Sequence, residues 1–264
     1  MDKCKFSVIV VCLNPGEKLL RTVGSILRQD FDDYEIVVKD GGSTDGSLQK
    51  LPAGENKIRV VVKEDTGIYD AMNQAVGETK GEYVLFLNCG DTFPESGVLQ
   101  KAADFIEENG GRGIYYGDTF CEKTGVRVAS PRQITAFACY RNIPCHQSCF
   151  YQRELFGDKK YEPAYRVRAD YEHFLWCFFR AGVKPACMDM VVANYEGGGY
   201  SESRENKKRD KEEHRLITKK YLSGKQRFLY GLFMVVTLRP LRSFLAEQTA
   251  FSGIYNKLKG KVYR

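Results

Sequence analysis

Residues 67–91 read GIYDAMNQAVGETKGEYVLFLNCGD. The first ten read as a helix carrying Asp70 and Asn73. They are followed by an apolar strand, Tyr83-Val84-Leu85-Phe86-Leu87, that stops abruptly in Asn88, Cys89, Gly90 and Asp91. A strand with no polar alternation is the pattern of burial on both faces. A lone carboxylate at the tip of such a strand has to be hydrogen-bonded or bind something.

The same unit repeats outward. Residues 6–13 form a near-continuous apolar run, Pro15-Gly16 breaks it, and Leu19, Leu20, Val23, Ile26 and Leu27 recur at helical spacing. Strands are expected at 34–39, 58–63 and 82–88, a helix at 96–108 and a short strand at 113–116. This alternation predicts an α/β fold with a doubly wound, mostly parallel, Rossmann-like sheet. Ligands of such sheets bind at the carboxyl ends of the strands. Those ends carry Leu13-Asn14, Asp40-Gly41-Gly42, Glu64-Asp65 and Asn88 to Asp91. Further on, 170–182 reads as a helix with an apolar stripe at Tyr171, Phe174, Leu175 and Phe178. A strand at 184–195 runs into EGGGYS (196–201), and a highly charged helix spans 203–222.

Two common nucleotide motifs are missing. The first strand is followed by NPGEK, not by G-x-G-x-x-G, and no G-x-x-x-x-G-K-[ST] is present. The second strand instead runs into VVKDGGSTDGS. Its two glycines let the backbone turn tightly and approach a ligand behind Asp40, although a tight turn with Asp45 capping a helix explains the later residues equally well.

Taken in order, FSVIVVCLN, EIVVKDGGSTDGS, KEDTGIYDAMNQAVGETKGEYVLFLNCGD and RADYEHFLW resemble the glycosyltransferases of family 2, with the GT-A fold. GIYDAMN, FLNxGD, YYGD, HQSCFY and EGGGYS resemble the bacterial branch that builds lipopolysaccharide, capsule and exopolysaccharide. The resemblance covers roughly residues 5–201. It implies an inverting enzyme that uses a nucleotide-diphosphate sugar, most often a UDP-sugar, with Mg²⁺ or Mn²⁺. It implies that Asp40 contacts the uracil or ribose beside Leu13 and Asn14. Asp65 and Asp70 then line the donor pocket with Asn88, Asp91 ends the metal signature, and Asp170 is the base. The family signature usually holds more than one Asp, whereas this chain has Asn88-Cys89-Gly90-Asp91. Mg²⁺ is often held by one or two carboxylates plus substrate phosphates, so the expectation is a metal that arrives with the nucleotide.

The chemistry makes two demands: charge on the departing diphosphate must be stabilised, and the acceptor hydroxyl must lose a proton. Asp91 with its metal suits the first demand and Asp170 the second, with helix capping as the plain alternative for Asp170. His146 and Gln147 are placed in the donor site near the acceptor side. His173, three residues after Asp170, is a candidate to orient it, while His214 is read as solvated. EGGGYS reads as a closing loop or a plain connector. Asp118 in YYGD reads as the end of a strand in a turn.

The net charge of +6 is uneven. Residues 225–264 hold eight Lys/Arg and one Glu, a net +7, against 32 basic and 33 acidic residues before them. The boundaries drawn are 1–224 for the catalytic domain and 225–264 for a basic amphipathic helical appendage. Its ten-residue apolar run, 229–238, is too short to span a bilayer and suits an anionic membrane surface. The expected partners are therefore the sugar donor, a lipid-linked glycan acceptor and that surface, with no nucleic acid. Nine scattered cysteines and a start that goes straight into a strand suggest free thiols in a reducing cytoplasm, on the inner face of the membrane. GDP- or dTDP-sugars, or a non-catalytic partner of the same fold, are the alternatives.

Overall fold

The structure, a computed structural model, describes residues 3–197 and 204–236. Four parallel strands form its first half: β1 (Phe6–Cys12), β2 (Tyr34–Asp40), β3 (Ile58–Val62) and β4 (Tyr83–Phe86). Between and after them run α1 (Lys18–Leu27), α2 (Ile68–Gly77) and α3 (Val98–Glu108). Strand β1 is apolar but for Ser7 because both its faces are covered. Val8 and Val10 pack with Leu19, Val23 and Leu99 on one side, while Ile9 and Val11 pack with Met72 and Ala75 on the other. Truncating Ile9 to Ala is expected to cost about 2–5 kcal/mol.

The remaining elements are β5 (Ile114–Cys121), β6 (Val126–Val128), α4 (Ala136–Arg141), β7 (Cys149–Gln152), α5 (Glu154–Asp158), α6 (Ala169–Phe179), β8 (Ala186–Tyr195), α7 (Arg204–Tyr221) and α8 (Gly224–Val236). The sheet runs β3-β2-β1-β4-β7-β5-β6, and β8 also pairs with β5. The expected α/β fold with a mostly parallel sheet is what is seen. Antiparallel β7, wedged between β4 and β5, and the β5–β6 hairpin are its departures.

One expectation is corrected here. The strand read as 113–116 continues to Cys121, so Asp118 lies inside β5 and not in a turn. Asp118 is buried and accepts from Arg127 Nε at 2.6 Å and from Ser130 N at 2.8 Å, which locks the hairpin.

Helix α8 begins the basic appendage. Tyr230 and Phe233 pack edge-on against Phe137 of α4, at ring distances of 5.3 and 5.1 Å. Phe228, Leu229, Leu232 and Val235 are exposed. No helix among the described residues is long and apolar enough to cross a membrane. Most of the tail, 237–264, and residues 198–201 of EGGGYS lie outside the described residues.

Candidate active site

The strand ends meet as expected. At β1, Leu13 is exposed and Asn14 takes a left-handed φ of 48°, a conformation Asn tolerates better than most residues. Asn14 N donates to Ser43 Oγ at 2.7 Å, and its Oδ1 accepts from Thr44 N at 2.9 Å, tying β1 to the loop after β2.

Asp40 at the tip of β2 is fully buried. Its Oδ2 accepts from Gly42 N (2.8 Å) and Ser43 N (2.7 Å), and its Oδ1 from Ser43 Oγ. Burial pushes the carboxyl up, but these donors outweigh it and hold the group below the usual range. Asp40 therefore shapes the glycine loop directly. A Cβ on Gly41 would lie 3.0 Å from Asp65 Oδ2 and 3.4 Å from Leu13 Cδ1, so the glycine keeps Leu13 and Asp65 close together.

Lys39 was missed by sequence reading. It is fully buried, and its ammonium donates to Lys63 O (2.6 Å), Asp65 Oδ2 (2.9 Å) and Asp40 O (3.2 Å). All three donors of the ammonium are used. The signal was available: a lysine inside IVVKD cannot be buried without such partners.

Asp70 stands apart from the others. Its Oδ2 accepts from Thr66 N (2.9 Å), Thr66 Oγ1 (3.1 Å) and Gln74 Nε2 (3.3 Å), so it fastens the start of its own helix.

The lone carboxylate beyond β4 finds its donors in later parts of the chain. Asp91 is buried, with 3% of its surface exposed. Its Oδ2 accepts from Gln147 Nε2 at 3.0 Å and its Oδ1 from Glu196 N at 3.1 Å. Burial raises its pKa despite these bonds and the nearby His146, and Glu196 adds to the rise. Gly90, at φ 102°, takes a conformation that side chains rarely adopt, and a Cβ there would lie 2.6 Å from Glu196 Oε2, which would have to move. Lys18 Nζ lies 2.6 Å from the same oxygen.

Asp170 is the second residue of α6, not its cap. The N-cap is Arg168, whose side chain makes no capping bond. Asp170 Oδ1 accepts from Tyr69 Oη at 2.8 Å, and Oδ2 lies 3.2 Å from His146 Nδ1. Burial pushes this carboxyl up, but His146 and the Tyr69 hydroxyl outweigh it and hold the carboxyl below its ordinary value. The other ring nitrogen, His146 Nε2, lies 3.1 Å from Asn88 Nδ2. An amide N–H donating to Nε2 leaves the proton on Nδ1, facing Asp170. Asn88 Oδ1 is buried with no hydrogen-bond partner among the described residues.

His146 and Gln147 are thus brought into the site, each on a carboxylate. His173 is not. It is fully buried and stacked on Phe156 at 4.3 Å, and burial lowers its pKa to about 4. The rings of Tyr151, Phe156, Tyr161 and Trp176 surround it, so it does not orient Asp170. His214 is corrected as well: it stacks on Tyr171 at 5.4 Å, and its Nε2 lies 2.8 Å from Tyr140 O.

The comparisons with known proteins agree with this frame. The family model "Glycosyl transferase family 2" matches residues 7–181. The chain belongs to glycosyl transferase family 2. A PGL/p-HBAD biosynthesis glycosyltransferase of Mycobacterium bovis is 38% identical over 202 residues, covering 74% of this chain and 78% of the relative. Glycosyltransferase GlyG of Streptococcus pneumoniae is 30% identical over 148 residues, 48% of this chain and 49% of the relative. Two solved structures share the fold. S. aureus TarS 1–349 in complex with UDP superposes with a TM-score of 0.61 at 22% identity, covering 73% of this chain and 60% of that one. The mannosyltransferase PcManGT of Pyrobaculum calidifontis, in complex with GDP-Man and Mn²⁺, gives 0.60 at 15% identity, covering 98% and 87%.

Proposed function

We propose that this family 2 glycosyltransferase is an inverting, hexosyl-type enzyme. It moves a sugar from a UDP-sugar to a hydroxyl of a lipid-linked glycan in cell-surface polysaccharide biosynthesis. The observation that carries the reading is the dipeptide His146-Gln147, which touches Asp170 with one side chain and Asp91 with the next. The acceptor side and the diphosphate side of the reaction are then fixed in one frame.

The donor lies across the ends of β1, β2 and β4, its base beside Leu13, Asn14, Asp40 and Asp65. Asp170 takes the proton of the acceptor hydroxyl as that oxygen bonds the anomeric carbon, and the bond to the diphosphate breaks on the opposite face. Its lowered pKa keeps it ionised for this role.

The residues fit a divalent cation that brings most of its own ligands. Asp91 ionised is disfavoured by burial, a state that a cation relieves, and Asn88 Oδ1, from the same strand end, is a hard oxygen with no partner among the described residues. Asp91, with Asn88, would hold Mg²⁺ or Mn²⁺. Bound there, the ion would supply positive charge to the departing diphosphate. Mn²⁺ beside GDP-Man in PcManGT supports this reading. That ligand also keeps a GDP-sugar as the second candidate donor.

The exposed apolar residues of α8 and the +7 tail support attachment to an anionic membrane, at its cytoplasmic face. A thermal-shift panel of UDP-, GDP- and dTDP-sugars, each with and without Mn²⁺, tests the donor. A rise with UDP-sugars that needs Mn²⁺ is expected. No shift with any nucleotide sugar would overturn the reading.

A further inference from the structure

Asp170 sits in the first turn of a helix whose own cap residue offers nothing to the free N–H groups there. The first N–H groups of a helix need partners. The N–H groups of residues 166–168, which lead into α6 as far as its cap, find one in α7, beyond the end of the family match. Glu213 is 6% exposed, and its carboxylate accepts from three successive backbone N–H groups. Oε1 takes Arg166 N at 2.8 Å, and Oε2 takes Val167 N at 3.0 Å and Arg168 N at 2.9 Å. A carboxylate from one helix thus closes the N-terminus of another.

The contact is not isolated. Asp210, Glu213, His214, Ile217, Lys220 and Tyr221 recur at helical spacing and form the inward face of α7. Arg168 Nη2 donates to Asp210 Oδ2 at 3.0 Å, and Tyr171 stacks on His214. Glu172, fully buried, takes Lys220 Nζ and Tyr221 Oη at 2.5 Å each. The segment held by Glu213 also reaches across the site. Val167 O lies 2.8 Å from Tyr69 Oη, the hydroxyl that donates to Asp170, and Arg166 Nη1 donates to Thr66 O at 2.8 Å.

We propose that Glu213 is a positioning residue for the base: by gathering the amides of residues 166–168 it sets where α6 begins, and so where Asp170 stands between Tyr69 and His146. The charged helix α7 is then part of the catalytic apparatus, not a solvated connector to the tail. The proposal rests on reading Asp170 as the base.

The test uses the full chain, with UDP release measured from UDP-glucose, UDP-galactose and UDP-N-acetylglucosamine and kinetics taken on the fastest. Glu213→Gln keeps the volume but turns an amide N–H₂ toward donors, so the segment must shift. Displacements of about 1 Å cost up to ~10²-fold. We expect kcat to fall about tenfold or more, with donor KM within twofold. Amide exchange of residues 166–168 should be at least tenfold faster.

Because the effect runs through Asp170, Glu213→Gln should cost little more in an Asp170→Asn background. Losses that multiply in the double variant, or parental kcat in Glu213→Gln while Asp170→Asn is dead, would overturn the proposal. Near-parental turnover of Asp170→Asn would overturn the base reading itself, and this proposal with it, which separates the two failures. If Glu213→Gln does not fold, Asp210→Asn, which frees Arg168 at the rim of the same contact, is measured by the same criteria.

Discussion

The Gln147 side-chain amide donates to the carboxylate of Asp91 at 3.0 Å, and both residues are nearly fully buried. Gln147 thus satisfies one oxygen of a group whose burial is otherwise unfavourable. Replacing it by Leu leaves that oxygen without a donor, at a cost of about 1–3 kcal/mol. The expected outcome is a lower melting temperature for Gln147→Leu that nucleotide plus Mn²⁺ largely restores, read in the same thermal scan. An equal deficit with and without ligand would separate Gln147 from the donor site.

Asp170→Asn distinguishes chemistry from architecture. The cap of α6 is Arg168, whose backbone N–H is taken by Glu213, so the substitution leaves that contact in place. Turnover should fall by about 10²–10⁴-fold, the usual general-base contribution, while donor affinity holds. Transfer within threefold of the parent would move the base elsewhere.

The two carboxylates should respond to pH in opposite directions. Asp170 is lowered, so its stabilising contribution is present above the unfolded carboxyl's pKa and is lost only as pH falls through its depressed folded value. The acidic limb of kcat/KM should therefore lie below 3.8, its ordinary value. Asp91 is raised, so its contribution is present at low pH and is lost as pH climbs through its folded value. A cation opposes that loss. Stabilisation by Mn²⁺ with UDP should accordingly grow as pH rises above 3.8, the carboxyl's ordinary value, in the parent and stay flat in Asp91→Asn. Equal slopes would place the metal away from Asp91.

Lys39 joins the ends of β2 and β3, on the proposed base side of the donor site. Lys39→Met removes its charge and strands the Asp65 carboxylate and two carbonyls, which should cost about 3 kcal/mol. Chemical denaturation measures it. A change below about 1 kcal/mol would show that water replaces the ammonium freely.

For the membrane, outward Phe228 and Leu232 are replaced together by Glu. They are 71% and 51% exposed, so the fold should be unaffected. Flotation with anionic vesicles should capture the parent and lose the variant by at least about tenfold, since each buried side chain contributes about 1.5–3 kcal/mol. Equal capture of both would leave the attachment to residues 237–264.

The parallel half of the fold was legible because β1, β2 and β4 are covered on both faces, and such strands write themselves as apolar runs. The tips were legible for the same reason, since Asp40 and Asp91 interrupt those runs. What escaped is long-range. Nothing in CFYQ announces that β7 enters antiparallel between β4 and β5, and nothing in YYGDTFC shows that pairing with β6 and β8 carries the strand past Asp118. His173 misled because one histidine among Phe and Tyr fits either face of a helix until its neighbours are known. Glu213 was hidden by composition, one acid in a helix full of them.

The Gln147–Asp91 contact also sets a condition on recombining such enzymes. In the proposed reading, residues up to 91 build the nucleotide half, and residues from 146 build the half that carries the base. A chimera crossing over between those positions joins a Gln from one parent to a carboxylate from the other. Crossovers there should succeed only between parents that agree at both places, whatever their identity elsewhere. In a shuffled library, 91 and 147 would then segregate as a single trait.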